Sequence, residues 1–314
     1  MIYSIILVIG GFFLLVKGAD WFVAGAATLA NKWGIPHMVI GLTIVAMGTS
    51  LPEAAVSIAA AMNHSAGISV GNVVGSNIMN ILIVLGVTAV IAAMPVEKDT
   101  IRKDIPFLIG VTILMAFFGY TGGQIVRAEG IVFAIVFLIY LAYLAVITKK
   151  NNPPEEGEDE FIHDGYSVTK CMIILFLGGV MTIVGSKLIV FGATDVAETI
   201  GISDRIIGLT VIAFGTSLPE LVTCIVAARQ GNSGIAIGNI IGSNIFNILF
   251  VLGATSIITT VPFEMKFMFD TVVALAAILV LWASAFRNGK VGRKVGYVML
   301  AIYVAYSVVQ FAVI

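Results

Sequence analysis

Charge is scarce in this chain: of 314 residues, 11% are Asp, Glu, Lys or Arg and 59% are apolar, with a mean hydropathy of +1.07. Soluble domains carry about 25% charged residues, so a soluble enzyme is excluded and the bilayer is the solvent. A net charge of −1 offers no electrostatic basis for nucleic-acid binding. Cysteine is nearly absent. Cys171 and Cys224 lie far apart in apolar stretches, which excludes a disulfide framework and a thiolate metal site; each reads as a small buried hydrophobe. Histidine is equally sparse, and His37, His64 and His163 all fall at span ends or in loops.

What is present is a series of long apolar runs. At about 20 residues per membrane helix, they predict spans at 3–30, 36–62, 69–93, 105–121, 128–148, 169–196, 204–228, 235–260, 267–286 and 294–313. The expected architecture is an all-α polytopic membrane protein of ten helices. The first run lacks a basic leading segment and continues past Lys17 and Asp20, so it is expected to be retained as a helix rather than cleaved. Residues 149–168, with two prolines and the acids Glu155, Glu156, Glu158, Asp159 and Glu160, read as a solvated linker between halves 1–148 and 169–314.

Basic residues orient the spans. One set of alternate loops holds Lys32, Lys98, Arg102, Lys103, Lys149, Lys150, Lys170, Arg229, Arg287, Lys290, Arg293 and Lys294; the other holds Arg127, Arg205 and Lys266. Basic loops stay cytoplasmic, which places the linker in the cytoplasm and both termini outside, in a plasma membrane.

The chain repeats itself at an offset of 167 residues. Residues 41–53, GLTIVAMGTSLPE, recur at 208–220 as GLTVIAFGTSLPE with 10 of 13 identical, and 69–86, SVGNVVGSNIMNILIVLG, recur at 236–253 as AIGNIIGSNIFNILFVLG with 12 of 18 identical. Matched Thr, Ser, Pro, Glu and Asn mark a duplication rather than a shared apolar bias. The repeated cores span 36–94 and 203–261. Each half holds five spans, an odd number, so the second copy is inverted and a pseudo-two-fold axis lies in the membrane plane. The flanking helices look less alike, since Asp20 falls opposite Lys187.

The repeated polar residues carry the chemistry. Glu53 and Glu220 sit mid-span, where an ionised group costs several kcal/mol and faces the bundle interior with a partner. No Lys or Arg lies near either one in its own span. Thr49 and Ser50 precede Glu53 by about one turn, as Thr216 and Ser217 precede Glu220, and Ser76 with Asn80 and Ser243 with Asn247 are i, i+4 pairs on the next span. Pro52 and Pro219 lack the N–H that would engage the carbonyls of Gly48 and Gly215. Broken backbone at this depth is tolerated where it lines a cavity or is buried in protein. Two carboxylates with neutral oxygens and no mid-membrane histidine suit a hard cation such as Ca²⁺, and one Ca²⁺ or two Na⁺ neutralise them equally. Asn72, Asn77, Asn239 and Asn244 also recur and read as packing groups behind this site.

With GTSLPE and GNVVGSNIMN in one half and GTSLPE and GNIIGSNIFN in the other, the chain resembles the Na⁺/Ca²⁺ exchanger family of the cation/Ca²⁺ antiporters. The resemblance covers nearly the whole chain. It implies a cation pocket lined by Thr49, Ser50, Glu53, Ser76, Asn80, Thr216, Ser217, Glu220, Ser243 and Asn247, with the carbonyls of Ala46 and Ala213 added, transported Ca²⁺ and Na⁺, no cofactor and function as a monomer. Some relatives have an acid where this chain has Asn247, which disfavours K⁺ co-transport here. The rival expectations are a Ca²⁺/H⁺ antiporter, whose motifs carry acids where this chain has Gly-Ser-Asn, and a Ca²⁺ channel. An intramembrane hydrolase would need a base beside Ser50 or Ser217, and the repeats hold none.

A cysteine introduced as Glu158→Cys is expected to resist a membrane-impermeant maleimide in intact cells and to react in inverted vesicles; labelling in intact cells would reverse the assigned orientation.

Overall fold

The computed structural model describes residues 2–63, 65–150, 165–199 and 213–313. Lipid offers backbone groups no hydrogen bonds, so a spanning chain must satisfy them within itself as helix. The helices are α1 (Ile2–Trp33), α2 (His37–Thr49), α3 (Leu51–Met62), α4 (Gly67–Ile91), α5 (Thr100–Gly122), α6 (Arg127–Lys150), α7 (Val168–Thr199), α8 (Ala213–Thr216), α9 (Leu218–Arg229), α10 (Ser233–Ile258), α11 (Met265–Asn288) and α12 (Arg293–Val313). They occupy all ten expected spans, though the start of the seventh, with Arg205, lies outside the described residues, as do His64, His163 and linker residues 151–164. Among the described residues, seven helices are long and apolar enough to cross a membrane, or eight if α2 and α3, bent by 49° at their junction, form one broken span.

Burial sorts the helices into layers. In α10, 94% of the most apolar stretch is buried, and in α4 72%, against 28% in α1 and 22% in α7. The two helices carrying the Gly-Ser-Asn runs are therefore the centre of the bundle. Helices α1 and α7 face outward with Phe12, Phe13, Phe176 and Phe191 exposed, as apolar residues are against lipid.

Two short antiparallel ladders tie the halves together. In the first, β1 (Met94–Pro95) pairs with β4 (Lys290–Val291); in the second, β2 (Gln124–Ile125) pairs with β3 (Val261–Pro262). Each gains a further bond, Val96 N–H to Gly289 O and Phe263 N–H to Gly123 O, both at 2.9 Å. Because β1 and β3 are counterparts at the repeat offset, the second ladder is the inverted image of the first. Gly123 and Gly289 close α5 and α11 at φ 62° and 63°, the left-handed conformation that releases the chain into each ladder at little steric cost.

The flanking helices prove more alike than Asp20 and Lys187 suggest. Gly11, Gly18 and Gly25 on α1 recur as Gly178, Gly185 and Gly192 on α7, at the same offset of 167. They form one seam: a Cβ on Gly18 would lie 2.6 Å from the Thr182 nitrogen and 2.8 Å from the Gly178 carbonyl oxygen, and one on Gly185 would lie 2.6 Å from the Gly11 carbonyl oxygen. The helices thus run antiparallel, backbone against backbone, a close approach that small residues permit in lipid. On the other side of the bundle, Gly238 and Gly242 bring α10 against α2 in the same way, with hypothetical Cβ atoms 2.6 Å from Met38 O and 2.5 Å from Leu42 O.

Replacing Gly185 by Val is expected to destabilise the fold by about 1–3 kcal/mol or more through overpacking, whereas Gly10→Ala, where a Cβ meets nothing within 4 Å, should be neutral. Thermal unfolding of the detergent-purified variants measures both.

Candidate ion-binding site

The two proline-containing motifs break their helices at equivalent points. Ser50 has φ −87° and ψ 9°, and Ser217 has φ −90° and ψ 3°. Each serine stands at the N-terminal boundary of the next half-helix, with Pro52 or Pro219 in its first turn, where proline's missing N–H costs nothing. Glu53 and Glu220 follow immediately, in the first turns of α3 and α9. A helix N-terminus favours negative charge, so each break creates one favourable place for a carboxylate at mid-membrane.

The inverted halves bring these breaks together. Glu53 and Glu220 are 1% and 0% exposed, and the two carboxylates feel each other's charge. Ser50 Oγ donates to Glu220 Oε1 at 2.9 Å across the halves. Thr216 faces Glu53 and Thr49 faces Glu220. Thr49 Oγ1 donates to Asn239 Oδ1 at 3.0 Å, and Ser243 Oγ donates to the Ala46 carbonyl at 3.4 Å. Ser76, Asn80, Ser217 and Asn247 are buried as well. Asn80 and Asn247 each begin a π-helical turn, 80–85 and 247–252, and such turns widen the helix where side chains must converge.

The carbonyl expectations divide. Ala46 O lies within the cluster, accepting also from Thr49 Oγ1 at 3.3 Å. Gly215 O, deprived of its helical partner by Pro219, accepts instead from Ser186 Oγ on α7 at 2.6 Å. Ser186 gave no signal in the repeat, because its counterpart is Ala19. Pro52 deprives Gly48 O in the same covalent way. Ala213 begins the described part of its span.

A layer of side chains behind the carboxylates also follows the repeat. Asn72 Nδ2 donates to Ser57 Oγ at 2.8 Å and to Glu53 O at 3.1 Å. Its counterpart Asn239 donates to Cys224 Sγ at 3.2 Å, Cys224 standing where Ser57 stands in the first half. Each amide ties the helix bearing the glutamate to the helix bearing Ser76 or Ser243. Ser57 and Cys224 escaped the sequence reading because the two residue types differ, although both are small and buried.

The two halves are not in the same state. Glu53 Oε1 and Oε2, Glu220 Oε2 and Ser217 Oγ have no hydrogen-bond partner among the described residues, while Glu220 Oε1 is bonded to Ser50 in the mirror pair. Buried, unpartnered oxygens of two carboxylates and a hydroxyl are the donor set of a hard cation. No group of three or more His, Cys, Asp or Glu is placed to hold a metal ion among the described residues, so the further ligands available beside the two carboxylates are hydroxyl, amide and carbonyl oxygens.

Residues 3–146 and 170–312 match the family described as sodium/calcium exchanger protein. The chain belongs to the sodium/calcium exchanger family. It is 34% identical to the sodium/calcium exchanger MaX1 of Methanosarcina acetivorans over 96% of both chains, and 40% identical to the putative antiporter CaxA of Alkalimonas amylolytica over 99% of this chain and 100% of that one. Among solved structures it resembles the sodium-calcium exchanger NCX_Mj soaked with zero Na⁺ and Ca²⁺, with a TM-score of 0.86, 35% identity and coverage of 98% and 99% of the two chains. The ten-helix inverted repeat expected from the duplication is the fold of this family.

Ser50→Ala leaves Glu220 Oε1 without its donor, so a loss of about 1.5–3 kcal/mol in stability is expected, as for a hydrogen bond to a charged group. Ser217→Ala removes a hydroxyl with no partner here and should cost less; unfolding of both variants in ion-free buffer compares them.

Proposed function

We propose that the chain exchanges Na⁺ for Ca²⁺ across the plasma membrane by alternating access, exporting Ca²⁺ at the expense of Na⁺ entry. The observation that carries this reading is the meeting of Glu53 and Glu220, one from each inverted half, in a buried cluster of hydroxyl and amide groups. In this reading Thr49, Ser50, Glu53, Ser76 and Asn80 with Thr216, Ser217, Glu220, Ser243 and Asn247 hold the ions, helped by the carbonyls of Ala46 and Ala213. Ca²⁺ and Na⁺ compete for the same two negative charges, and that competition couples their opposite fluxes.

The same reading assigns 1–148 and 169–314 as the two halves, 149–168 as a cytoplasmic linker, and both termini to the outside. Support for alternate loops sharing a face comes from the ladders, which join the loop at 94–95 to that at 290–291 and the loop at 124–125 to that at 261–262. A single chain supplies both halves of the site, which favours a working monomer. Helices α1 and α7, outside the ladder-tied bundle and meeting along a glycine seam, are the pair that slides to open one side or the other.

In proteoliposomes, an imposed Na⁺ gradient should drive uptake of radiolabelled Ca²⁺, and Glu53→Gln or Glu220→Gln should abolish it. Uptake that follows a pH gradient and ignores Na⁺ would instead establish Ca²⁺/H⁺ exchange, and retention of Na⁺-driven uptake by both variants would remove the glutamates from the site.

A further inference from the structure

Asn77 and Asn244 stand one residue beyond Ser76 and Ser243 and are counterparts at the repeat offset. Both are buried, at 4% and 0% exposure. Asn77 Nδ2 donates to the Asn244 carbonyl at 3.2 Å, and Asn77 Oδ1 accepts from Asn247 Nδ2 at 3.1 Å. Both ends of the Asn77 side chain are thereby engaged across the pseudo-two-fold axis. With its NH₂ group held by Asn77, Asn247 presents its Oδ1 elsewhere, and that oxygen has no hydrogen-bond partner among the described residues. An amide oxygen is a ligand for a hard cation and an amide nitrogen is not, so the direction of this one amide decides whether Asn247 serves the ions.

The two-fold calls for a mirror bond, from Asn80 Nδ2 to Asn244 Oδ1. It is not made: both side-chain polar atoms of Asn80 and both of Asn244 are buried and unpartnered among the described residues. The pair Ser50–Glu220 and its unmade mirror Ser217–Glu53 differ in the same sense. Leaving a buried amide unpaired is unfavourable, and in an inverted repeat the opposite-facing state exchanges the roles of the halves. The bond missing here is the one that exchange would create.

We propose that Asn77 and Asn244 are positioning residues that alternate: Asn77 turns the Asn247 oxygen toward the ions in the conformation described here, and Asn244 does the same for Asn80 in the opposite-facing one. This rests on the exchange reading above. If the two asparagines merely glue helices together, removing either would weaken the protein without regard to membrane face.

The test measures the apparent KM for Ca²⁺ and for Na⁺ at each face separately, in right-side-out and inverted vesicles, together with equilibrium Ca²⁺ binding to the purified protein. Asn77→Ala is expected to raise KM at one face by about tenfold, the equivalent of one lost hydrogen bond to a charged or ion-binding group, and to leave the other face nearly unchanged. Asn244→Ala should affect the opposite face, and the two variants should each weaken equilibrium binding. Asn77→Ser and Asn244→Ser keep a small acceptor, should fold if the alanines do not, and should shift the same faces by less. Equal shifts at both faces, or no shift in any variant while the wild type exchanges, would overturn the alternation and leave the exchange reading standing; a wild type that exchanges neither ion would overturn both.

Discussion

An ionised carboxylate in the middle of a bilayer must be compensated, and the arrangement of this protein follows from meeting that demand twice in one place. Glu53 and Glu220 have no Lys or Arg near them in their own spans to neutralise them. Their stabilisation comes from the first turns of two half-helices, from hydroxyls on the opposite half and from whatever cation enters. Each of these needs a helix broken at mid-membrane, and a broken helix exposes backbone polar groups that lipid cannot satisfy. The breaks at Ser50 and Ser217 are therefore buried under α4 and α10, and the freed Gly215 carbonyl is taken by Ser186 from α7. The central position of α4 and α10 is a consequence of the charge they help to enclose.

The asymmetry within a nearly symmetric sequence is the second theme. Thr49, Ser50 and Ala46 of the first break are bonded across to Asn239, Glu220 and Ser243 of the second half, whereas Ser217 and Glu53 leave polar atoms free. Two equivalent sequences in two different bonding states are what an alternating carrier requires, since the same residues must be able to exchange their parts. The packing elements obey the symmetry more closely: the two ladders are images of one another, as are the glycines of α1 and α7. The polar centre is where the halves differ.

Much of this was legible in the residues because polarity is rare in a membrane span and so carries information. GTSLPE at two positions 167 apart named the glutamates, the hydroxyls and the prolines together, and the odd number of spans per half made the repeat inverted. Three features were harder to read. The glycines of α1 and α7 recur at the same offset, but they sit among unlike apolar residues and one mismatched pair, Asp20 and Lys187, drew attention away from them. Cys224 in place of Ser57 hid a shared role behind a change of element. Ser186 has no repeated counterpart at all, since a symmetric search cannot find a residue that serves only one half.

The sequence by itself determined the solvent, the helices, the duplication and the chemical type of the site, because each of these depends on local hydropathy and residue spacing. Only the tertiary structure decided which carboxylate accepts a serine hydroxyl across the halves, which amide is held across the pseudo-two-fold axis and which freed carbonyl is already occupied. The first two are contacts between residues 170 positions apart whose symmetric alternatives are equivalent on paper, and the third depends on Ser186, which has no counterpart in the other half; close packing around the pseudo-two-fold axis settles each of them.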